Sequence, residues 1–106
     1  MLPNESYLPS RTPYRSRAWL AAVHEIESCV LCGAYGVQAA HSNQDRGRGQ
    51  KASDCLTAAI CPRCHHEIDN GSDLTGAERR ARLDRAIVKT IDQLARRGLI
   101  DVRKQP

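Results

Sequence analysis

The first hydrophobic pattern along the chain is that of a short amphipathic helix. Leu20, Val23 and Ile26 follow one another at the spacing of one helix face. Ser16 precedes them and has the side chain of a good N-cap. The pattern therefore predicts a helix from Ser16 to about Glu27.

Two short apolar runs in the middle of the chain predict a hairpin. One run extends from Val37 to His41, where the predicted strand ends, and the second extends from Leu56 to Ile60. Residues 42–53 between them are polar and rich in glycine. We therefore expect two paired strands joined by a long loop.

Two more helices are predicted after the second run. A short one covers residues 65–69 and ends at Asn70-Gly71. The longest begins at Thr75, whose T-x-x-E sequence is a capping box, and continues to about Arg97 before Gly98. Its apolar face is predicted to consist of four residues: Leu83, Ile87, Ile91 and Leu94.

Length and charge limit the class of protein. The chain has 106 residues, which suits one small domain, and it contains no Phe. Its 16 basic and 12 acidic residues give a net charge of +4, which weakly favours a polyanionic partner. It has no apolar run of membrane-spanning length and no apolar secretory region near its start. We therefore expect a cytoplasmic protein whose thiols stay reduced.

The start of the chain differs from the rest in composition. Residues 1–15 contain three of the five prolines, which predicts an irregular arm. A solvated tail and a DNA-contacting arm are both open interpretations. The basic residues around its end are Arg11, Arg15 and Arg17. The predicted organisation is this arm, one domain over residues 16–102 and a tail over residues 103–106.

Two C-x-x-C pairs carry the strongest chemical signal, Cys29/Cys32 and Cys61/Cys64. Each pair can direct two sulfurs at one ion from a single turn, and two such turns form a closed tetrahedral shell for Zn²⁺. A redox motif lacks the expected βαβ context, and a disulfide pair does not suit reducing conditions. A zinc ion in a closed shell would be structural, and Cys55 is left over as a small buried hydrophobe.

The histidines suggest chemistry beyond this shell. His65 and Asp69 are four residues apart, so both project from one helix face and could hold a divalent ion with open positions. His41 could face this pair across the hairpin, and a neutral imidazole is a competent base near pH 7. A base and a metal ion together suit phosphodiester hydrolysis. C-x-x-C-H is also a common zinc-finger spacing, so spacing alone slightly favours a non-catalytic protein.

These motifs resemble the HNH, or ββα-metal, endonuclease superfamily. The resemblance rests on A-A-H at 39–41, K-x-x-D at 51–54 and A-x-I-C-x-x-C-H-x-E-I-D at 58–69. The sequence is most similar to the YbcO-type family of small phage and prophage nucleases, over about residues 16–102. The resemblance implies an α+β fold with a small zinc-stapled ββα-metal core, an N-terminal helix and a long C-terminal helix.

The resemblance also implies a function and a set of site residues. It implies a metal-dependent DNA endonuclease that acts in recombination, repair or DNA processing in a bacterial host cell. His41 matches the base that activates water, His65 matches the metal-ligating histidine, and Asp69 stands where a second helical ligand is found. The implied catalytic ion is Mg²⁺ or Mn²⁺. The expected partner is DNA and not a membrane, with a homodimer left open.

Two positions depart from the family pattern. Ala40 stands where many members have a metal-binding Asp or His, and residues 54–56 stand where the base-orienting Asn belongs. Asp54 could hydrogen-bond the His41 ring in that orienting role, and Asn43 is the less favoured candidate.

The loop between the strands is the predicted DNA contact. Arg46, Arg48 and Lys51 lie among its glycines and could neutralise phosphates. Two other classes of protein remain open. One is a non-catalytic zinc-ribbon module that binds DNA, and the other is an adaptor whose C-terminal helix docks a partner protein.

Overall fold

The computed structural model describes residues 12–43 and 51–102, which form a small α+β domain. Within these residues the order of elements is α1–β1–β2–α2–α3. The elements are α1 (Arg17–His24), β1 (Gln38–His41), β2 (Thr57–Ile60), α2 (Pro62–Asn70) and α3 (Gly76–Arg96). The predicted order of elements is confirmed.

Helix α1 begins where the sequence predicts and ends earlier. The Ser16 side chain accepts a hydrogen bond from the Trp19 N–H at 3.0 Å, which confirms the predicted N-cap. The helix ends at His24, not at Glu27. Glu27 takes a left-handed backbone conformation with φ of 67°, and its carbonyl accepts the Gly36 N–H at 2.7 Å. The chain has already turned there to begin the first cysteine pair.

The two strands form an antiparallel pair, as predicted. Ala40 lies opposite Ala58, and His41 lies opposite Thr57. Strand β2 is buried along its whole length. This burial is possible because its side chains are small and because α3 and the first cysteine turn cover it.

Helix α2 begins earlier than predicted. It starts at Pro62, a favoured first helical position, and the Cys61 sulfur caps it by accepting the Cys64 N–H at 3.5 Å. The predicted end at Asn70-Gly71 is confirmed, because α2 ends at Asn70 and Gly71 is its C-cap. A Cβ at position 71 would collide with the Glu67 carbonyl, which explains the glycine there. The cysteine motif and the helix start are therefore one structural unit.

Helix α3 has the predicted capping box, formed by Thr75 and Glu78, and ends at Arg96. Ile91, predicted to be on the apolar face, is instead 37% exposed, and the neighbouring Thr90 is fully buried. Thr90 can be buried because its hydroxyl accepts the Ala59 N–H of β2 and donates to the Ala86 carbonyl one turn earlier in α3. The other predicted core positions are buried: Leu83, Ile87 and Leu94.

Side chains on the two faces of the sheet enter different parts of the core. Ala58 and Ile60 belong to a cluster with α2, α3 and the cysteines, whereas Ala59 packs with Val23 of α1 and Leu94 of α3. This alternation follows from the period of two along a strand. None of the helices in the described part of the chain has the length and apolar character that a membrane crossing needs.

Candidate metal centre and adjoining cleft

The two C-x-x-C pairs meet in one cluster. The sulfurs of Cys29, Cys32, Cys61 and Cys64 all lie within 4.8 Å of one another, and no disulfide joins them. Tetrahedral zinc, with Zn–S bonds of about 2.3 Å, places its sulfurs about 3.8 Å apart. The Cys32 and Cys61 sulfurs are 3.6 Å apart, so the cluster fits such an ion. Cys55 is partly buried and outside the cluster.

The first cysteine turn is shaped by its backbone. Gly33 has a φ of 82°, which favours glycine, and its N–H donates to the Cys29 carbonyl at 2.8 Å. The Leu31 N–H points at the Cys29 sulfur at 3.4 Å. The Leu31 N–H favours a negatively charged Cys29 sulfur, which is the form that binds metal ions.

The thiols differ in how readily they ionise. Burial raises the pKa of Cys64 to about 12, whereas a backbone hydrogen bond from Ala34 lowers the pKa of Cys32 to about 6. Arg63 hydrogen-bonds Cys32, and this contact raises the pKa of the Arg63 guanidinium. The four thiols would not all ionise together near neutral pH without a cation among them. The chemistry of this donor set therefore suits a divalent metal ion.

A separate cleft of about 250 Å³ lies where β1, α2 and the end of the loop meet. His41, His65 and Asp69 all line it, and so do Asn43 and Lys51. The structure thus brings the predicted base, His41, into one cleft with His65 and Asp69, the predicted ligands of the catalytic ion. The predicted phosphate-binding residues Arg46 and Arg48 lie outside the described residues.

Asp54, the predicted orienting residue, contacts the predicted base. Its Oδ1 atom lies 2.9 Å from His41 Nε2 and 3.0 Å from an Arg15 nitrogen, while its Oδ2 accepts the Ser16 N–H at 2.8 Å. Burial raises the pKa of Asp54, but the hydrogen bonds from His41, Ser16 and Arg15 together lower it below its usual range. Asp54 is therefore a carboxylate at neutral pH.

The charge of Asp54 fixes the tautomer of His41. A carboxylate can only accept hydrogen bonds, so His41 Nε2 carries a hydrogen and donates it to Asp54. In the neutral ring the lone pair is then on Nδ1. Nδ1 is the nitrogen at which this histidine can take a proton.

His65 is fixed through its other nitrogen. Nδ1 lies 2.8 Å from the Gln38 amide oxygen, an acceptor, so Nδ1 carries the hydrogen. The Nε2 lone pair then faces Asp69 Oδ2 at 3.3 Å. At this distance a proton or a metal ion can join the two atoms. Neighbouring ligands of octahedral Mg²⁺ are separated by about 3.0 Å, so the pair fits such an ion.

A second, larger cleft adjoins the first. It has a volume of about 550 Å³ and shares Asn43 and Asp69 with the first cleft. Arg79 and Arg80 of α3 also line it. Arg79 is tied to the end of α2 by hydrogen bonds to the carbonyls of Asp69 and Gly71, whereas Arg80 is exposed.

Two partners of the histidine site were not predicted from the sequence. Arg15 was assigned to an irregular arm, yet it contacts Asp54 across 39 positions of sequence. Gln38 contacts His65 across 27 positions. The one available signal was that Gln38 is polar and precedes two alanines in a strand that ends at His41. Arg15 gave no comparable signal.

Comparison of this chain with models of protein families, with curated proteins and with solved structures gave no match. The resemblance to HNH endonucleases therefore rests on the motif residues of this chain.

Proposed function

We propose that this protein is a metal-dependent HNH-type endonuclease of phage or prophage origin that hydrolyses phosphodiester bonds in DNA during recombination, repair or processing. One observation carries the proposal. A candidate base, His41, and a candidate metal-ligating pair, His65 and Asp69, line the same cleft although they lie on different elements. Each histidine also has a partner that sets its tautomer as its role requires.

The four cysteines are proposed to hold a structural zinc ion. Their four sulfurs would fill a tetrahedral shell, so no position would be open to a substrate. The shell would join the turn before β1 to the start of α2. Because His65 directly follows Cys64, the same ion would also fix where His65 enters the cleft.

His41 is proposed to remove the proton from the attacking water. It would take this proton at Nδ1 while Nε2 stays hydrogen-bonded to Asp54. The ring becomes positively charged in this step, and the Asp54 carboxylate stabilises that charge. Asp54 thus takes the place of the asparagine that the family pattern has near this position.

His65 and Asp69 are proposed to bind the catalytic ion. When bound, Mg²⁺ or Mn²⁺ stabilises charge that develops on the phosphoryl group and the leaving oxygen. The Gln38 amide directs the Nε2 lone pair of His65 toward Asp69. Two protein ligands leave the remaining positions to water and substrate, as Mg²⁺ sites commonly do.

Cations around the clefts support DNA as the substrate. Lys51 lines the first cleft, and Arg80 lines the second, so a chain of phosphates could pass from one to the other. The net charge of +4 also favours binding to the negatively charged phosphates of DNA.

A cleavage assay on supercoiled and branched DNA with Mg²⁺, Mn²⁺, Ni²⁺ or Zn²⁺ tests the proposal. We expect His41→Ala to cut about 10²–10⁴ times more slowly than wild type, because a general base is lost. DNA affinity should stay the same, since a neutral ring adds little attraction for phosphate. His24→Ala is the matched control, because His24 is exposed and its Nδ1 contacts only its own helix, at the Leu20 carbonyl.

Metal rescue separates the two roles. Excess Mn²⁺ should partly restore His65→Ala and Asp69→Ala, whose metal affinity is weakened, but not His41→Ala. Equal rescue of all three would make His41 a ligand and place the base elsewhere. A wild-type protein that holds one zinc ion and binds DNA, but cuts nothing with any ion, would be a zinc-ribbon binding module. A protein that does not bind DNA would contradict both the nuclease and the binding module and would leave the adaptor alternative.

A further inference from the structure

We infer that Arg15 is a positioning residue of the proposed nuclease site, which acts by keeping Asp54 charged and oriented so that His41 stays a neutral base. The catalytic consequence rests on the proposed function. The state of the His41 ring can be measured whether or not the protein cuts DNA.

The hydrogen bonds of the Arg15 side chain all go to one short segment, residues 51–54. One terminal nitrogen donates to the Ala52 carbonyl at 2.7 Å and to Asp54 Oδ1 at 3.0 Å. The other donates to the Lys51 carbonyl at 3.0 Å. The guanidinium is thus fixed by two carbonyls besides the carboxylate, and a planar fork with several bonds holds its orientation well.

The backbone beside Arg15 strengthens the same contact. The Tyr14 N–H donates to Ser53 Oγ at 3.0 Å, and the Asp54 N–H donates to the Tyr14 carbonyl at 2.8 Å. The Ser16 N–H donates to Asp54 Oδ2 at 2.8 Å, while the Ser16 side chain caps α1. The end of the predicted arm is therefore joined to the residue that orients the proposed base.

The charge of Arg15 matters as much as its geometry. Asp54 is buried, and its Oδ1 is shared between Arg15 and His41. Without Arg15, a protonated His41 would be the cation left to balance Asp54 at this contact among the described residues. A protonated ring cannot take a proton from water. Arg15 offsets the carboxylate charge and so leaves His41 free to act as the base.

The other charged groups near His41 come from different elements. Lys51 of the loop and His65 and Asp69 of α2 line its cleft. The hydrogen bonds of Arg15 reach none of these three side chains, although one of them goes to the Lys51 backbone carbonyl.

The test compares Arg15→Gln with Arg17→Gln. Arg17 is exposed at the first position of α1, so its substitution removes the same charge two positions away. The ring nitrogens of His41 are followed by NMR in the zinc-loaded protein as a function of pH. For wild type and Arg17→Gln we expect the tautomer with hydrogen on Nε2 at neutral pH.

For Arg15→Gln we expect the midpoint of the His41 ring titration to rise by about one pH unit or less, because Arg15 is partly exposed. The acid limb of the cleavage pH profile should rise by the same amount. A lower melting temperature with an unchanged His41 titration would overturn the inference, since Arg15 would then be merely structural.

Two further results keep the inference testable. If Arg15→Gln does not fold, Arg15→Lys replaces it in the test. Lysine keeps the positive charge but lacks the planar fork of arginine, so the His41 titration in this variant should stay close to that of wild type. A shifted titration in Arg15→Lys would overturn the role of charge. If wild type does not cut DNA, the proposed function fails, but the NMR titration still decides whether Arg15 controls His41.

Discussion

The two histidines of the cleft are held by opposite ring nitrogens. His41 donates through Nε2 to Asp54, and His65 donates through Nδ1 to Gln38. The lone pair is therefore on Nδ1 in one ring and on Nε2 in the other. One residue type can in this way supply a base and a metal ligand in the same cleft, because its hydrogen-bond partners differ.

Gln38→Leu tests the role assigned to Gln38. The variant keeps a side chain of similar size but removes the acceptor that fixes the tautomer of His65. We expect the affinity for Mn²⁺ to fall about 10- to 100-fold, as is typical when such a partner is lost. Calorimetric titration of the zinc-loaded protein with Mn²⁺ measures it. Gln93→Leu on α3, away from the cleft, is the control, and an equal affinity in both variants would contradict the role of Gln38.

Sequence reasoning identified the ligating and basic side chains better than their partners. The cysteine pairs and the His65/Asp69 pair are close in sequence, so spacing predicts that they share a turn or a helix face. The Arg15–Asp54 contact spans 39 positions, and no local pattern encodes it. Such partners are determined by how the arm and the loop pack, which only the folded chain reveals.

At the scale of elements, the edge of β2 that faces away from β1 is hydrogen-bonded by a side chain of α3 and by the backbone of the first cysteine turn. The Ala59 N–H donates to the Thr90 hydroxyl at 2.9 Å, and the Ala59 carbonyl accepts the Val30 N–H at 3.0 Å. Helical periodicity predicted Ile91 as the buried residue of this part of α3. Periodicity counts apolar side chains and cannot identify a threonine that is buried because a strand needs its hydroxyl.

Thr90→Val should destabilise the domain although the two side chains have nearly the same shape. Valine has nearly the same shape as threonine, but it leaves the buried Ala59 N–H without its acceptor. We expect a loss of about 1–3 kcal/mol in the free energy of unfolding, the usual cost of a buried unpaired donor. Urea unfolding measures it, with Thr90→Ser as the control that keeps the hydroxyl. If valine proves no worse than serine, the hydrogen bond does not support the sheet.

At the scale of the whole molecule, the core depends on the cysteine cluster. Cys29, Cys61 and Cys64 are buried with Ala58 and Ile60 in the cluster between the sheet and the last two helices. Small side chains and the absence of Phe limit how much apolar area this core can bury. The order of elements was predictable because caps and cysteines mark the element boundaries. The contact of Tyr14 and Arg15 with residues 51–54 was not, since its backbone hydrogen bonds leave no pattern in the side chains.

Loss of the proposed zinc ion should therefore unfold the domain. Zinc binding in small domains has an apparent free energy of about 10–16 kcal/mol, comparable to the whole stability of a domain, about 5–15 kcal/mol. We expect Cys61→Ser to lose helical circular dichroism and cooperative melting, as wild type should in excess chelator. Serine is a good N-cap, so the start of α2 is preserved and the loss reports on the metal.

Cys55→Ser is the control for thiol loss, since Cys55 lies outside the cluster, and it should melt like wild type. Acid should act like a chelator, because protons compete with the metal for the thiolates and the unfolded chain binds more protons than the zinc-bound fold. Stability should therefore fall as pH falls, and added Zn²⁺ should move the transition to lower pH. A Cys61→Ser protein that keeps native helicity and melts near the wild-type temperature would show that the core stands without the metal.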